Sequence, residues 1–229
     1  MNDQTQLTDH SINQERHTRG GDQTRDRIVE AAYRALLKQG YHQTSMKDIA
    51  AEAGVAPGLA HYYFESKEDL LVAVIERACL PLKQEWDAQR RLLGGEAPSP
   101  EQALSQALAG FQFAKEEVRR FLDMHRLVFD MFGVGLHNPR IAAAVARFIN
   151  ERREDIALVA RAVVAASAVK PASDPEALAA AVWGAMNGIV LQKLMDPDFD
   201  SDAAINALSE MAFTLAAVPV PARISEGRE

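Results

Sequence analysis

The stretch from Thr44 to Leu70, TSMKDIAAEAGVAPGLAHYYFESKEDL, restricts the possible folds of this chain more than any other. Ser45 is an N-cap residue, and Asp48 three positions later completes a capping box, so a helix is predicted to begin at Met46. Met46, Ile49, Ala50 and Ala53 fall on one face of it. Gly54 is the residue type that a helix C-terminus favours, and Pro57 suits a first helical position, which predicts a second helix from about Pro57 to Phe64. Ser66 and Asp69 form another capping box, opening a long apolar run at Leu70. Two short helices joined by a glycine-containing turn are the helix-turn-helix unit, whose second helix lies in the DNA major groove.

Read in order, Ser45, Lys47, Asp48, Ile49, Ala50, Ala53, Gly54, Val55, Ala56, Gly58, Tyr62, Tyr63, Phe64, Ser66, Lys67 and Leu70 make a run that resembles the N-terminal domain of TetR-family transcriptional regulators. With its leading helix the resemblance covers about Arg25 to Ile75. The chain departs from the family pattern at Ala56, where Ser or Thr is usual, and at Ala60, where a large aliphatic is usual. The first departure removes a cap oxygen worth about 0.5–2 kcal/mol, partly offset by Pro57. The resemblance implies a division of labour on DNA. The amide end of the helix capped by Ser45, with Lys47 and Lys67, would grip phosphates, because helix N-termini and ammonium groups attract anions. Tyr62 and Tyr63 would hydrogen-bond phosphates through their hydroxyls. Pro57, Gly58, Leu59 and His61 would face base edges, Gly58 for close approach and Leu59 for a thymine methyl. Val55 and Phe64 are expected in the core that fixes the helix.

Composition limits the alternatives. The chain has 229 residues, 48% of them hydrophobic, which suffices for a large helical domain or two smaller ones. Its net charge is −7, and up to Leu80 nine basic residues face twelve acidic ones, so a non-specific polyanion binder is not expected. A sequence-specific reader survives that balance if the few cations converge on one face. The single cysteine, Cys79, excludes a disulfide framework within one chain and suits a reducing cytoplasm; its simplest use is as a small buried hydrophobe. The first twenty residues lack the apolar core of a signal peptide. The longest largely apolar run, Ala177 to Leu191, contains Asn187 and falls short of the ~20 residues that span a bilayer, so no membrane partner is expected. No HExxH, Walker A, GxGxxG or GxSxG pattern occurs, and neither an enzyme nor a cofactor is expected. The alternative from another class is an all-helical binding protein or enzyme whose helix-turn-helix serves protein contacts.

Along the chain, residues 1–23 read as a polar, disordered tail. Ile28, Ala31, Ala32, Ala35 and Leu36 predict a helix from Thr24, ended by Gly40. A helix from Ser66 to about Leu93 contains Pro81, where a kink is expected. After a loop at 94–98, Ser99 caps a helix to about Lys115, and further helices are predicted over Glu116–Phe132, from Pro139 to about Val169, from Pro175 to Met195 and from Asp200 to Val218. Lys170-Pro171 is expected to end the second of these, and residues 219–229 read as a second disordered tail. Nothing reads as a strand. The expectation is an all-α chain, with a helix-turn-helix domain over 24–66 and a helical-bundle domain for ligand binding and dimerisation over 67–218.

The helix from Pro175 is apolar all round, so one face is expected on its own core and the other on a second subunit. Its run Trp183-Gly184-Ala185-Met186-Asn187-Gly188, with Met195-Asp196-Pro197, is similar to the C-terminal domain of choline/betaine-type regulators of the same family. That similarity implies a homodimer through the last two helices, with Trp183, Gly184, Gly188, Leu191, Leu208 and Leu215 at the contact. A two-fold dimer in turn implies a pseudo-palindromic double-stranded operator. For a small-molecule effector, the concentration of aromatic and methionine residues singles out Trp86, Phe111, Phe121, Met124, His125, Val128, Phe129 and Phe132 as pocket candidates, with His125 the polar handle.

Overall fold

The computed structural model describes residues 4–92, 99–166 and 174–216, and these form nine helices with no strand among the described residues. The chain divides into two compact units, Met1–Ala78 and Cys79–Glu229.

The first unit contains α1 (Gln4–Gln43), α2 (Met46–Glu52), α3 (Pro57–Tyr63) and the beginning of α4 (Lys67–Leu92). Its core is made by Ile28, Ala31, Ala32 and Leu36 of α1, Ile49 and Ala50 of α2, Ala60 of α3, and Leu70, Leu71 and Val74 of α4, all buried. Each large aliphatic among them contributes about 1.5–3 kcal/mol relative to an exposed position. Because Leu70, Leu71, Ala73, Val74 and Ile75 are buried within this unit, it extends to Ala78 rather than stopping at Ser66. Gly40 interrupts α1 with φ 73, the left-handed backbone that glycine adopts without strain. The buried Thr44 then donates its hydroxyl to the Gly40 carbonyl at 2.8 Å.

One expectation is corrected at the N-terminus, where α1 begins at Gln4 and residues 4–23 are helical, not a disordered tail. Gln, Glu and Arg are good helix formers, no proline falls in the segment, and the two glycines at 20 and 21 cost only about 1 kcal/mol each.

The second unit holds α4 from Cys79, α5 (Pro100–Arg120), α6 (Leu122–Gly135), α7 (Pro139–Ala166), α8 (Pro175–Met195) and α9 (Ser201–Leu215). Most starts carry the predicted caps. Ser99 and Gln102 form a complete capping box, Asn138 Oδ1 accepts from the amides of Arg140 and Ile141, and Asp174 and Asp200 accept from Ala177 and Ala203. The junction of α5 and α6 lies at Phe121, not at Lys115. The run Lys115-Glu116-Glu117 contains no breaker, and Arg119 and Arg120 complement the dipole in the last turn of α5. α6 correspondingly extends past Phe132 to Gly135.

α8 packs on α7 and α9, and α5 packs on the same two helices. At 21 residues, with a mean hydropathy of 1.3 over its most apolar window, α8 is long and apolar enough to cross a membrane, unlike the shorter run read from the sequence. Here Leu178, Ala179, Val182, Ile189 and Val190 are buried in the unit. The expected loop at 94–98, the stop at Lys170-Pro171 and the tail at 219–229 lie outside the described residues.

Candidate DNA-reading face and ligand cavity

The helix-turn-helix of the first unit is held by a chain of local bonds. Ser45 Oγ accepts from the Asp48 amide at 3.2 Å, while the Asp48 carboxylate accepts from the Ser45 amide at 2.9 Å and from its hydroxyl at 2.6 Å. These bonds hold the Asp48 carboxyl below its usual pKa range, the serine hydroxyl being the largest cause. At the other end of α2, Gly54 has φ 62, and the Val55 amide reaches back to the Ala50 carbonyl at 2.9 Å. A Cβ at Gly54 would meet nothing within 4 Å, so backbone conformation alone calls for glycine there. α3 then starts at Pro57 with Ala56 at its N-cap and no side-chain cap bond.

This frame orients α3 by burying Ala60 and the following Phe64, leaving Pro57, Gly58, Leu59, His61 and Tyr62 exposed. Tyr62 is 80% exposed and meets the half-buried Tyr63 edge to face at 5.2 Å. Ser45 and Lys47 are exposed at the start of α2. Val55, expected in the core, is only half-buried.

Lys67 differs from the expectation of a free phosphate-gripping cation. Its Nζ donates to the Tyr41 carbonyl and lies 3.8 Å above the Tyr41 ring, and burial lowers its pKa. The Tyr41 hydroxyl donates to Glu68 at 2.9 Å, and burial, reinforced by that carboxylate, pushes the phenol up to about 12. Lys67 therefore braces the end of α1 against the start of α4.

The second unit encloses a cavity of about 410 Å³, within the usual size range for small-molecule sites. Of the residues singled out in the sequence, Trp86, Phe111 and His125 line it. Phe121, Met124, Val128, Phe129 and Phe132 are not among its walls: Met124 and Val128 are buried core, Phe129 packs with Phe132 at 5.5 Å, and Phe121 carries Arg120 over its ring. The walls come instead from α5, α7, α8 and α9, including Gln106, Glu117, Asp155, Val163, Met186 and Phe213. Trp183, expected at a subunit contact, also lines the cavity, its half-buried ring meeting Phe148 at 5.9 Å.

Polar groups gather towards one end. His125 Nε2 stands 3.3 Å from Glu117 Oε1, Arg152 Nη2 is 3.0 Å from Asp155 Oδ2, and Arg152 lies over the Trp86 ring. Gln106 lies on α5 about 16 Å of helix rise from Glu117. Trp86 Nε1 and Gln106 Oε1 are buried without a hydrogen-bond partner among the described residues. Cys79 is buried, and desolvation pushes its thiol up to about 12, leaving it protonated and unreactive.

The remaining contact candidates separate into two groups. Leu191 and Leu215 are exposed, with Met195 at 76% and Met211 at 61% beside them in α8 and α9, and a Cβ at Gly184 or Gly188 would meet nothing within 4 Å. Leu208 is instead buried with Val118, Ile189, Val190 and Ile205 inside the unit's own core.

Residues 28–74 match the bacterial regulatory proteins of the tetR family, and residues 100–217, half of the chain, match the C-terminal domain of BetI-type transcriptional repressors. The chain belongs to the TetR family. It is 26% identical over 187 residues to the HTH-type transcriptional regulator BetI of Rhizobium meliloti (strain 1021), covering 81% of this chain and 85% of that one. The fatty acid metabolism regulator protein of Bacillus subtilis (strain 168) is 36% identical, but over 73 residues, 28% of this chain and 38% of its own length. Among solved structures, a transcriptional regulator from Saccharomonospora viridis in complex with choline superposes with a TM-score of 0.66 at 23% identity, over 83% of this chain and 95% of that one. The multidrug binding protein EbrR complexed with imidazole does so with a TM-score of 0.59 at 26% identity, over 86% and 96%. This TetR-family protein is a DNA-binding transcriptional repressor responsive to a small molecule.

Proposed function

We propose that the protein works in the cytoplasm as a homodimer that reads a pseudo-palindromic operator through α3, and that a ligand in the second-unit cavity releases it. The observation that carries the reading is the outward row of α3. Pro57, Gly58, Leu59, His61 and Tyr62 are exposed, and this helix contains no acidic residue. Of the acids around it, Glu52 is paired with Arg34 at 3.0 Å, while Asp48 is bonded to Ser45 and stays ionised and Glu65 is exposed, so phosphate contact rests on the exposed Lys47 and the backbone amides at the start of α2. The overall negative charge of the chain is thereby compatible with a specific contact, because the electrostatic gain depends on phosphates neutralised.

Dimerisation is supported by the exposed apolar side chains of α8 and α9, Leu191, Met195, Met211 and Leu215, a kind of surface that a second copy covers. Half-site centres would then lie roughly one helical turn apart, ~34–36 Å, or somewhat more. The choline and imidazole held by the structural neighbours support a small organic effector, and no catalytic step enters this reading. Release requires only that the ligand bind the DNA-free form better; by reciprocity, DNA must weaken ligand binding by the same factor.

Fluorescence anisotropy on DNA upstream of its own gene tests the assignment. Leu59→Ala is expected to narrow the gap between operator and scrambled DNA, whereas Lys47→Ala weakens both equally and reduces the salt slope by about one phosphate contact. Equal binding of operator and scrambled DNA by the unmodified protein, or a footprint of one asymmetric half-site, would overturn it.

A further inference from the structure

The cavity has an uneven charge balance at its polar end, and that imbalance selects its occupant. Two carboxylates line it, Glu117 and Asp155. Asp155 has a permanently charged neighbour, Arg152 at 3.0 Å, both side chains being almost fully buried. The Glu117 side chain is only 14% exposed, and the partner beside it is His125, an imidazole charged only when protonated. Among the described ion pairs, the arginines of the same helix are directed elsewhere, Arg119 to Glu116 and Asp202 and Arg120 to Glu85. Among the described ion pairs Glu117 thus has no permanently charged partner, and a cation that reaches it supplies one.

We propose that the cavity takes a protonated primary or secondary amine carried on an aromatic or alkyl body, with Glu117 as its hydrogen-bonded counter-ion. The assignment rests on the reading of this cavity as the effector site. Phe111, Val159, Val163, Val182, Met186 and Phe213 supply an apolar lining for the body. An N–H donor is required because Glu117 offers acceptor oxygens, and charge-assisted hydrogen bonds are the strong ones. A quaternary ammonium has no N–H and depends on open aromatic faces. At this end Trp86 already carries Arg152 over its ring at 5.8 Å and Phe113 against it edge to face at 5.4 Å.

The test is calorimetric titration of the full-length protein, without DNA, with four probes of one skeleton: 4-phenylbutylamine, 4-phenylbutanol, 4-phenylbutyric acid and 4-phenylbutyl-trimethylammonium. The amine is expected to bind at least about tenfold more tightly than the other three. In Glu117→Gln the amine falls to the level of the alcohol, while the alcohol itself moves by less than about twofold. Should that variant fail to fold, His125→Gln, which removes the competing imidazole and keeps the carboxylate, is expected to preserve or increase the amine preference. Equal binding of amine and alcohol, tightest binding of the acid or the quaternary probe, an amine preference that survives Glu117→Gln or disappears in His125→Gln, or no binding of any probe at millimolar concentration would overturn the assignment. The amine is then added to the protein–DNA complex as a separate arm. Glu117-dependent binding with unchanged DNA affinity would leave the amine site standing and remove its role as effector site.

Discussion

The helix-turn-helix motif and the wall of the cavity treat their polar groups in different ways. In the first, Ser45 and Asp48 bond one another, Ser66 Oγ donates to Asp69 at 2.8 Å, Tyr41 donates to Glu68, and Arg34 reaches Glu52. Asp48, Glu52, Glu68 and Asp69 are thus tied to neighbours, and α3 presents a surface oriented by the buried Ala60 and Phe64. In the second, buried Trp86 Nε1 and Gln106 Oε1 have no partner among the described residues, and Glu117 has only His125. A surface that must match a stiff polymer benefits from rigid placement, whereas a cavity that must respond to a small molecule benefits from groups the ligand alone can satisfy. Tryptophan and tyrosine fluorescence separate the two units, because Trp86 and Trp183 lie in the second, and Tyr33, Tyr41, Tyr62 and Tyr63 in the first.

The largest test concerns the buried ion pair of the cavity unit, Arg152 with Asp155. Asp155→Leu removes the buried carboxylate paired with Arg152 and is expected to cost about 3–5 kcal/mol in urea unfolding followed by tryptophan emission. Replacing both, Arg152→Met with Asp155→Leu, should recover most of that loss, since no unpaired charge remains. A double variant as unstable as the single one would show that something other than the ion pair holds this site.

That pair also shows what was legible in the sequence. The helix caps were readable because a capping box is a local device, complete within four residues, and Ser45 and Ser99 form the bonds that their spacing predicts. The cavity walls depend on which helical faces converge, which no local spacing encodes. Met124 and Val128 are as apolar as any wall residue yet sit in the core, while Gln106, Asp155 and Met186 form walls on other helices. A signal for α7 was present all the same. Phe148, Arg152, Asp155, Val159 and Val163 follow one helical stripe, and a charged pair inside an apolar stripe marks a buried polar site. The cavity role of Trp183 went unread for a related reason: on a helix apolar all round, sequence does not distinguish the face on a cavity from the face on a partner.

A second test removes one of the unsatisfied groups. Gln106→Leu takes a buried oxygen without a partner from the cavity wall, and the second unit is expected to gain about 1–3 kcal/mol, read again from tryptophan emission. No gain, or a loss, would mean that the oxygen is hydrated, and the contrast between the two units would weaken there.

The smallest effect is expected in the first unit, at the starts of α2 and α3. α2 has both arms of a capping box, and Ser45→Ala should cost about 0.5–2 kcal/mol by tyrosine emission. α3 has Ala56 at the same position, with φ −63 and ψ 142, the extended backbone of an ordinary N-cap, and its side chain is exposed, so a hydroxyl has room. Ala56→Ser should therefore stabilise the unit by about 0.5 kcal/mol, towards the low end because Pro57 at N1 has no N–H and only the Gly58 and Leu59 amides remain to be capped. The Leu59 amide already reaches the Ala56 carbonyl at 2.9 Å, which lowers the gain further. If α3 is held mainly by buried Ala60 and Phe64, the added cap should leave the preference for operator over scrambled DNA unchanged while the unit becomes slightly more stable. A change in that preference without a change in stability would place the new hydroxyl on the DNA, and α3 would then be less fully oriented by its own frame than its caps and core imply.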